Sequence, residues 1–302
     1  MESGILLESG TNELEILEFE VGGNTYGINV AKIREILPYQ KPTLVPNAHP
    51  SVEGIFMPRD TIITIVNLAK SLNISIPSDY ENDMFIVTNF NNLHVGFHVN
   101  RVLGIHRVSW SDISKPDATL NQAGKGVATG IIKLKEKLII ILDFEKIVAD
   151  ISPETSLKMS DIEHLETRKR NEIPILIAED SPLLSTLIRD CLVKAGYTNI
   201  TITMNGLEAW NMLNEYKATK TIKQNVACVI TDIEMPQMDG HRLTKLIKDD
   251  NQFNHIPVVI FSSLVNDEMR KKGAALGADA QLSKPEIGSL VNAMDLLLLK
   301  DR

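Results

Sequence analysis

Residues 227–240 read ACVITDIEMPQMDG: an apolar, partly β-branched run stops at Asp232 and is followed by Glu234, Pro236, Asp239 and Gly240. Such a run, ended by turn residues, reads as a buried strand. In parallel α/β sheets the carboxyl ends of the strands open onto the crevice where ligands bind, so an acid at that point faces chemistry rather than the core. Asp232 is therefore a candidate site residue, and its partners must come from neighbouring strand ends.

Working outward from Asp232, strand-like and helix-like stretches alternate. ILIAED is followed by Ser181-Pro182, an N-cap and first-turn proline, with Gly196 closing the helix. Then come NITITM, a helix from Gly206 to about Tyr216, VACVITD, a helix after Asp239, PVVIFSS, a helix ending near Gly277, AQLS and a last helix from Glu286. Lys217 to Asn225 reads as a surface loop. Five β/α units predict a doubly wound parallel sheet. The ends of its first, third, fourth and fifth strands carry Glu179-Asp180, Asp232, Ser262 and Lys284. Three clustered carboxylates repel one another unless a divalent cation neutralises them, and oxygen-only ligation suits Mg²⁺. With a nucleophilic carboxylate, a hydroxyl and a lysine added, the parts match phosphoryl transfer, with Asp232 as acceptor and Ser262 and Lys284 stabilising phosphoryl oxygens.

The chain has 302 residues, is 43% hydrophobic and 23% charged, and carries a net charge of −8. It splits into 13 basic and 19 acidic residues before Lys158, then 18 and 20 from Lys158 onward. No basic face for nucleic acid is expected from that balance. Acids stand where a signal peptide needs basic residues, and no apolar run approaches a membrane span, so a cytoplasmic protein is expected. Cys191 and Cys228 lie in apolar segments and read as reduced, buried thiols.

Up to about Ala149 the pattern is short β-branched runs, LEILEFEVGG, TIITIVNL, MFIVTNF, HVGFHV and KLIIILDF, with VAKIREIL reading as an added short helix. Gly22-Gly23-Asn24 signals a hairpin. EGIFMPRDTIITIVNLAKSL (53–72) aligns with TGIIKLKEKLIIILDFEKIV (129–148), which predicts two related β-subdomains. His94 and His98 fall on one face of a strand with no acid nearby in sequence, and read as ordinary surface histidines. RVLGIHRVSW (101–110) alternates and reads as a packed strand. The expected layout is a first domain over 1–151, a polar linker over 152–172 and a second domain over 173–302.

The acidic pair, the D-x-x-M-P-x-M-D-G motif at Asp232, Ser262 thirty residues on and Lys284-Pro285 twenty-two beyond resemble the receiver domain of bacterial response regulators. That resemblance implies phosphorylation of Asp232 by a histidine kinase. It also implies Mg²⁺ held by Glu179, Asp180, Asp232 and the Glu234 backbone carbonyl, a flavodoxin-like fold with five parallel strands, and a cis Lys284-Pro285 bond. Receivers often carry an aromatic switch residue three positions before the lysine. Gln281 stands there, so the change on phosphorylation is expected in the loop after Ser262.

YGINVAKIREIL and the two repeated segments resemble the CheW-like coupling domain of chemotaxis systems, a mainly-β double SH3-like barrel. A CheW-like domain followed by a receiver is the arrangement of the CheV-type coupling proteins. The resemblance implies a non-enzymatic adaptor between a chemotaxis histidine kinase and methyl-accepting chemoreceptors, recruited to membrane receptor arrays without inserting in the membrane. It places Arg59 at the receptor contact and Ile33 and Glu35 at the kinase-contacting surface. The alternative is a metal-dependent phosphatase with an aspartate nucleophile, from the D-x-E at 232–234. A DNA-binding regulator would need a basic output domain, and none is legible.

Overall fold

In the computed structural model the described residues are 11–75, 81–90, 93–116, 126–134, 137–152, 169–264, 267–284 and 286–299. The chain divides into two compact units, Leu14–Thr155 and Ser156–Arg302, the latter grouped with Met1–Glu13. Most of the expected linker lies outside the described residues. Among the described residues no helix is long and apolar enough to cross a membrane.

The first unit is built from β1 (Glu13–Val21), β2 (Asn24–Asn29), β3 (Ile33–Pro38), β4 (Val52–Phe56), β5 (Ile63–Asn67), α1 (Leu68–Ser71), β6 (Met84–Phe90), β7 (Leu93–Val99), β8 (Arg101–Ser109), β9 (Ala128–Leu134), β10 (Lys137–Leu142) and α2 (Phe144–Ile151). Gly22 and Gly23, with φ of 59° and 77°, make the turn between β1 and β2, a conformation glycine adopts without a Cβ penalty. Two five-stranded sheets result, ordered β8-β1-β2-β10-β9 and β3-β6-β7-β5-β4. In each, a hairpin lies parallel to the strand of a second hairpin: β2 beside β10, β7 beside β5. The two repeated segments are the equivalent β4-β5-α1 and β9-β10-α2. Each sheet takes its edge strand from the other: β3 follows the β1–β2 hairpin but pairs with β6, and β8 follows β6–β7 but lies beside β1.

VAKIREIL is not a helix. Asn29 caps a single 3₁₀ turn over Val30–Lys32, its side chain accepting the Ala31 N–H at 3.0 Å, and Ile33 starts a strand that ladders with β6. Its β-branched residues fit that pleated, half-buried position, and tertiary pairing overrides weak helix propensity. RVLGIHRVSW is the strand expected, but as β8 it is an edge strand with Arg101, Leu103, Ile105 and Arg107 exposed. The main core gathers side chains of both sheets and α2, with Phe97 edge-on to Phe144 at 4.4 Å, while smaller clusters fill each sheet's own concavity.

The second unit runs β11 (Ile175–Ala178), α3 (Pro182–Lys194), β12 (Ile200–Thr203), α4 (Gly206–Ala218), α5 (Ile222–Asn225), β13 (Cys228–Thr231), α6 (Gly240–Asp249), β14 (Val258–Ser262), α7 (Asp267–Ala275), β15 (Ala280–Ser283) and α8 (Ile287–Leu298). Its sheet is all parallel, ordered β12-β11-β13-β14-β15. Central strands are apolar on both faces because both are covered: Ile175, Ile177, Ile230 and Phe261 pack with residues of α3 and α8, while Leu176, Val229 and Val258 pack with residues of α4 and α6. Lys217 to Asn225 is not a plain loop. The helix α4 continues to Ala218, Lys220 turns at φ 58°, and α5 adds a turn whose Ile222 packs on the core. Both cysteines are free and buried, and burial pushes both thiols up.

His98 is no surface histidine: it is 7% exposed and lies between two acids. Its Nδ1 is 2.8 Å from Glu53 Oε1 and its Nε2 2.7 Å from Asp83 Oδ2. Both ring nitrogens can donate to carboxylates only in the imidazolium form. Burial alone would lower the His98 pKa, but hydrogen bonds and charge from Glu53 and Asp83 outweigh it and raise it above 6.5. Burial alone would raise Glu53, yet His98, Asn67 and Lys70 bring it below 4.5. A raised histidine stabilises fully below its unfolded value and loses that contribution as pH climbs through the folded value. A depressed carboxylate stabilises fully above its unfolded value and loses it as pH falls through the folded one. The cluster's contribution is therefore greatest between pH 4.5 and 6.5, declining on both sides. With Trp110 as the only tryptophan in a Trp210→Phe chain, unfolding of this unit should show that maximum. His98→Leu should flatten it and cost about 3 kcal/mol, because the buried Asp83 and the half-buried Glu53 carboxylates lose their cation.

Candidate functional site

Parallel pairing in register places the site residues. Ala178 pairs with Thr231 and Ser262 with Ser283, so the residues that follow, Glu179 and Asp180, Asp232 and Lys284, leave adjoining strands at one level, with Ser262 closing β14. The Asp232 N–H donates to Ala178 O at 3.0 Å and the Lys284 N–H to Ser262 O at 3.2 Å, extending the ladder one step into the crevice.

Glu179, Asp180, Asp232 and Lys284 meet at the crevice, and Ser262 ends the strand beside them. Lys284 Nζ donates to Asp232 Oδ2 at 2.8 Å and lies 3.2 Å from Glu179 Oε2. The Ile233 N–H donates to Asp232 Oδ1 at 2.7 Å, and the Ser181 N–H to Glu179 Oε1 at 3.1 Å. Ser262 Oγ accepts the Leu264 N–H at 3.2 Å. Asp232, Glu179, Ser262 and Lys284 are buried, whereas Asp180 is half-buried. One oxygen each of Glu179, Asp180 and Asp232 lies within 4.8 Å of the others, an arrangement that suits a hard divalent cation. Glu179 Oε2 is buried with no hydrogen bond beyond its 3.2 Å ion pair with Lys284, so it has a lone pair to offer such a cation. Burial pushes the Glu179 carboxyl up to about 8, with Asp232 and Asp180 adding to the shift and Lys284 opposing it. Glu179, Asp180 and Asp232 would hold a divalent cation, whose charge would favour the ionised form of the Glu179 carboxyl.

The loop from Asp232 to Asp239 is held by two glycines whose role the motif did not reveal. A Cβ on Gly240 would overlap the Asp232 carbonyl, and one on Gly206 would stand 2.6 Å from Met238 O. Neither has positive φ; close backbone approach is what demands glycine. Asp239 caps α6 by accepting the Arg242 N–H at 2.7 Å. The D-G pair at 239–240 is the sequence signal for this clamp. Glu234 lies in the same loop, and the Lys284-Pro285 bond falls outside the described residues.

In the first unit Arg59 sits between β4 and β5 with its side chain 82% exposed, and its Nη2 is 3.9 Å from Glu35 Oε2 on β3. Ile33 is half-buried and packs against the main core.

Two family descriptions match the chain: the CheW-like domain over residues 15–152 and the response regulator receiver domain over 175–295. The fold and crevice thus define a CheW-like domain fused to a receiver. The chain is 30% identical over 305 residues to the chemotaxis protein CheV3 of Helicobacter pylori, covering 96% of each chain. It is 32% identical to CheV2 of the same organism over 90% of this chain and 89% of that one. Its first half is 33% identical to the chemotaxis protein CheW of Thermotoga maritima, over 48% of this chain and 95% of that one. The chain belongs to the CheV family of chemotaxis proteins.

Because the Cβ of alanine at position 240 meets backbone rather than a movable side chain, Gly240→Ala should destabilise the second unit by about 1–3 kcal/mol. Denaturant unfolding read by Trp210 in a Trp110→Phe chain measures this, and an unchanged midpoint would show that the loop yields freely.

Proposed function

We propose that the chain is a cytoplasmic chemotaxis adaptor, recruited to membrane receptor arrays, that couples chemoreceptors to a histidine kinase. Its coupling is regulated by Mg²⁺-dependent phosphorylation of Asp232. The observation that carries this reading is the buried Asp232 carboxylate hydrogen-bonded to Lys284 beside two further acids. Family membership supports the adaptor role, with the first unit making the protein contacts and no enzymatic turnover of its own. Nucleic acid is not among the expected partners.

In the phosphorylation step an Asp232 carboxylate oxygen forms the P–O bond as the P–N bond of a phosphohistidine breaks. The bonding pair leaves on the imidazole nitrogen, which takes up a proton. Lys284 offsets charge on the phosphoryl oxygens. The Ser262 hydroxyl, which accepts from Leu264, keeps its own proton to donate to one of them. Mg²⁺, held by Glu179, Asp180, Asp232 and the Glu234 carbonyl, would supply neutralising charge and orient the donor. Buried acids and an ammonium fixed beforehand reduce the reorganisation needed.

Incubation with a small phosphodonor and Mg²⁺ should label wild type to about one phosphate per chain and leave Asp232→Asn unlabelled. Chelation should abolish labelling. Sustained phosphate release beyond one equivalent would instead mark an aspartate-nucleophile phosphatase.

Receptor contact is assigned to Arg59, and kinase contact to the surface of Ile33 and Glu35. An exposed pair such as Arg59–Glu35 is worth less than about 1 kcal/mol, so Arg59→Ala should leave the fold intact. Receptor affinity should nonetheless fall about tenfold, as for loss of a charged interface contact. Unchanged circular dichroism with unchanged affinity would remove Arg59 from the interface.

A further inference from the structure

Two residues in the second unit break local rules, and each accounts for the other. Gly273 sits inside α7, where glycine is the poorest helix former after proline. Gln281 sits on β15, three residues before Lys284, in an otherwise apolar-centred sheet. Gln281 Nε2 donates to Arg270 O of α7 at 2.7 Å, and Arg270 Nη1 donates back to Gln281 O at 3.2 Å. A Cβ at position 273 would overlap the Gln281 carboxamide, whose oxygen, carbon and nitrogen are the three atoms it would meet first. The glycine is the seat of that carboxamide.

We propose that Gln281, seated on Gly273 and bonded to Arg270, is a latch that holds α7 against β15 and favours the unphosphorylated conformation of the receiver. The proposal deepens the phosphorylation reading above and rests on it for its trigger. The helix α7 reads DEMRKKGAA, and among its described side chains Met269 is the one large buried one, so the latch adds to few apolar contacts. It begins five residues after Ser262, whose hydroxyl accepts the Leu264 N–H. Drawing that hydroxyl to a phosphoryl oxygen, with the Leu264 N–H still bonded to it, moves Leu264, three residues ahead of α7. The latch resists that movement at the helix, while Lys284, the residue after the strand that carries Gln281, is drawn to the same phosphoryl group. Phosphorylation shifts the population only through contacts that differ between the two states, and these are such contacts.

The test uses the full chain and two variants that leave every crevice residue in place. Gly273→Ala evicts the carboxamide, which is free to rotate away. Gln281→Met keeps side-chain length without the donor. The readout is amide hydrogen exchange of α7, with and without a small phosphodonor, together with the rate of Asp232 labelling. Helix propensity alone makes Gly273→Ala slow the exchange of α7. The latch predicts the opposite sign: about five-fold faster exchange in both variants before phosphorylation, the scale of the hydrogen bonds lost. Wild type should reach the same exchange rate once labelled, and the variants should label faster than wild type. Slower or unchanged exchange in either variant overturns the latch. So does a wild type that takes the label with no change at α7. A wild type that takes no label defeats the phosphorylation reading instead, and the latch is then judged on the unphosphorylated chains alone.

Discussion

The Lys284 ammonium is the charge on which the receiver crevice depends. An ammonium only 8% exposed would be expelled or deprotonated in an apolar setting. Here it is retained because Asp232 and Glu179 lie 2.8 and 3.2 Å away, and the two acids are tolerable together because it stands between them. Neither side of that arrangement survives without strands that end at one level. The parallel ladders, in turn, need strands apolar on both faces, which is why ILIA, CVIT and VVIFS carry no polar side chain before their last residue or two. The site is thus a consequence of the sheet's register, and the glycines at 206 and 240 let the connecting loop lie close enough to keep it.

The same solution recurs in the first unit with a different outcome. There, too, one cation serves two acids: His98 between Glu53 and Asp83, drawing β4, β7 and the residue before β6 together. His98 and Asp83 are buried and Glu53 is half-buried, and among the described residues no third acid adjoins the group to recruit a metal. In the receiver the half-buried Asp180 adds a third carboxylate and a path to solvent, leaving a surplus of negative charge. A closed triad holds strands; an open one with charge to spare is fit for chemistry.

What could be read beforehand follows from the range over which each signal acts. The shift from alternating runs to β/α units is local, and the acids, serine and lysine fall at strand ends, so the receiver's strand order and the acids and lysine of its crevice are legible, whereas the clamping glycines and the helical turn at Ile222–Asn225 are not. His98 was misread because its partners are 45 and 15 residues away, and only the folded sheet brings them to the ring. VAKIREIL was misread as helix because its destiny depends on β6, some fifty residues later. Gln281 departs from the receiver pattern, but nothing in the spacing ties it to Gly273.

The exchange of edge strands between the two sheets of the first unit fixes how that unit can come into being. Arg101 on β8 meets Glu20 of β1 across 81 residues, so the first sheet cannot be completed until the second hairpin of the other sheet has been made and traversed. Neither half can mature alone, since each keeps its neighbour's outermost strand. Contacts so distant in sequence slow folding, and a unit assembled this way should open as a whole rather than barrel by barrel. The repeated pattern therefore makes a single cooperative body, and a growing chain exposes unfinished sheet edges until β10 has been made.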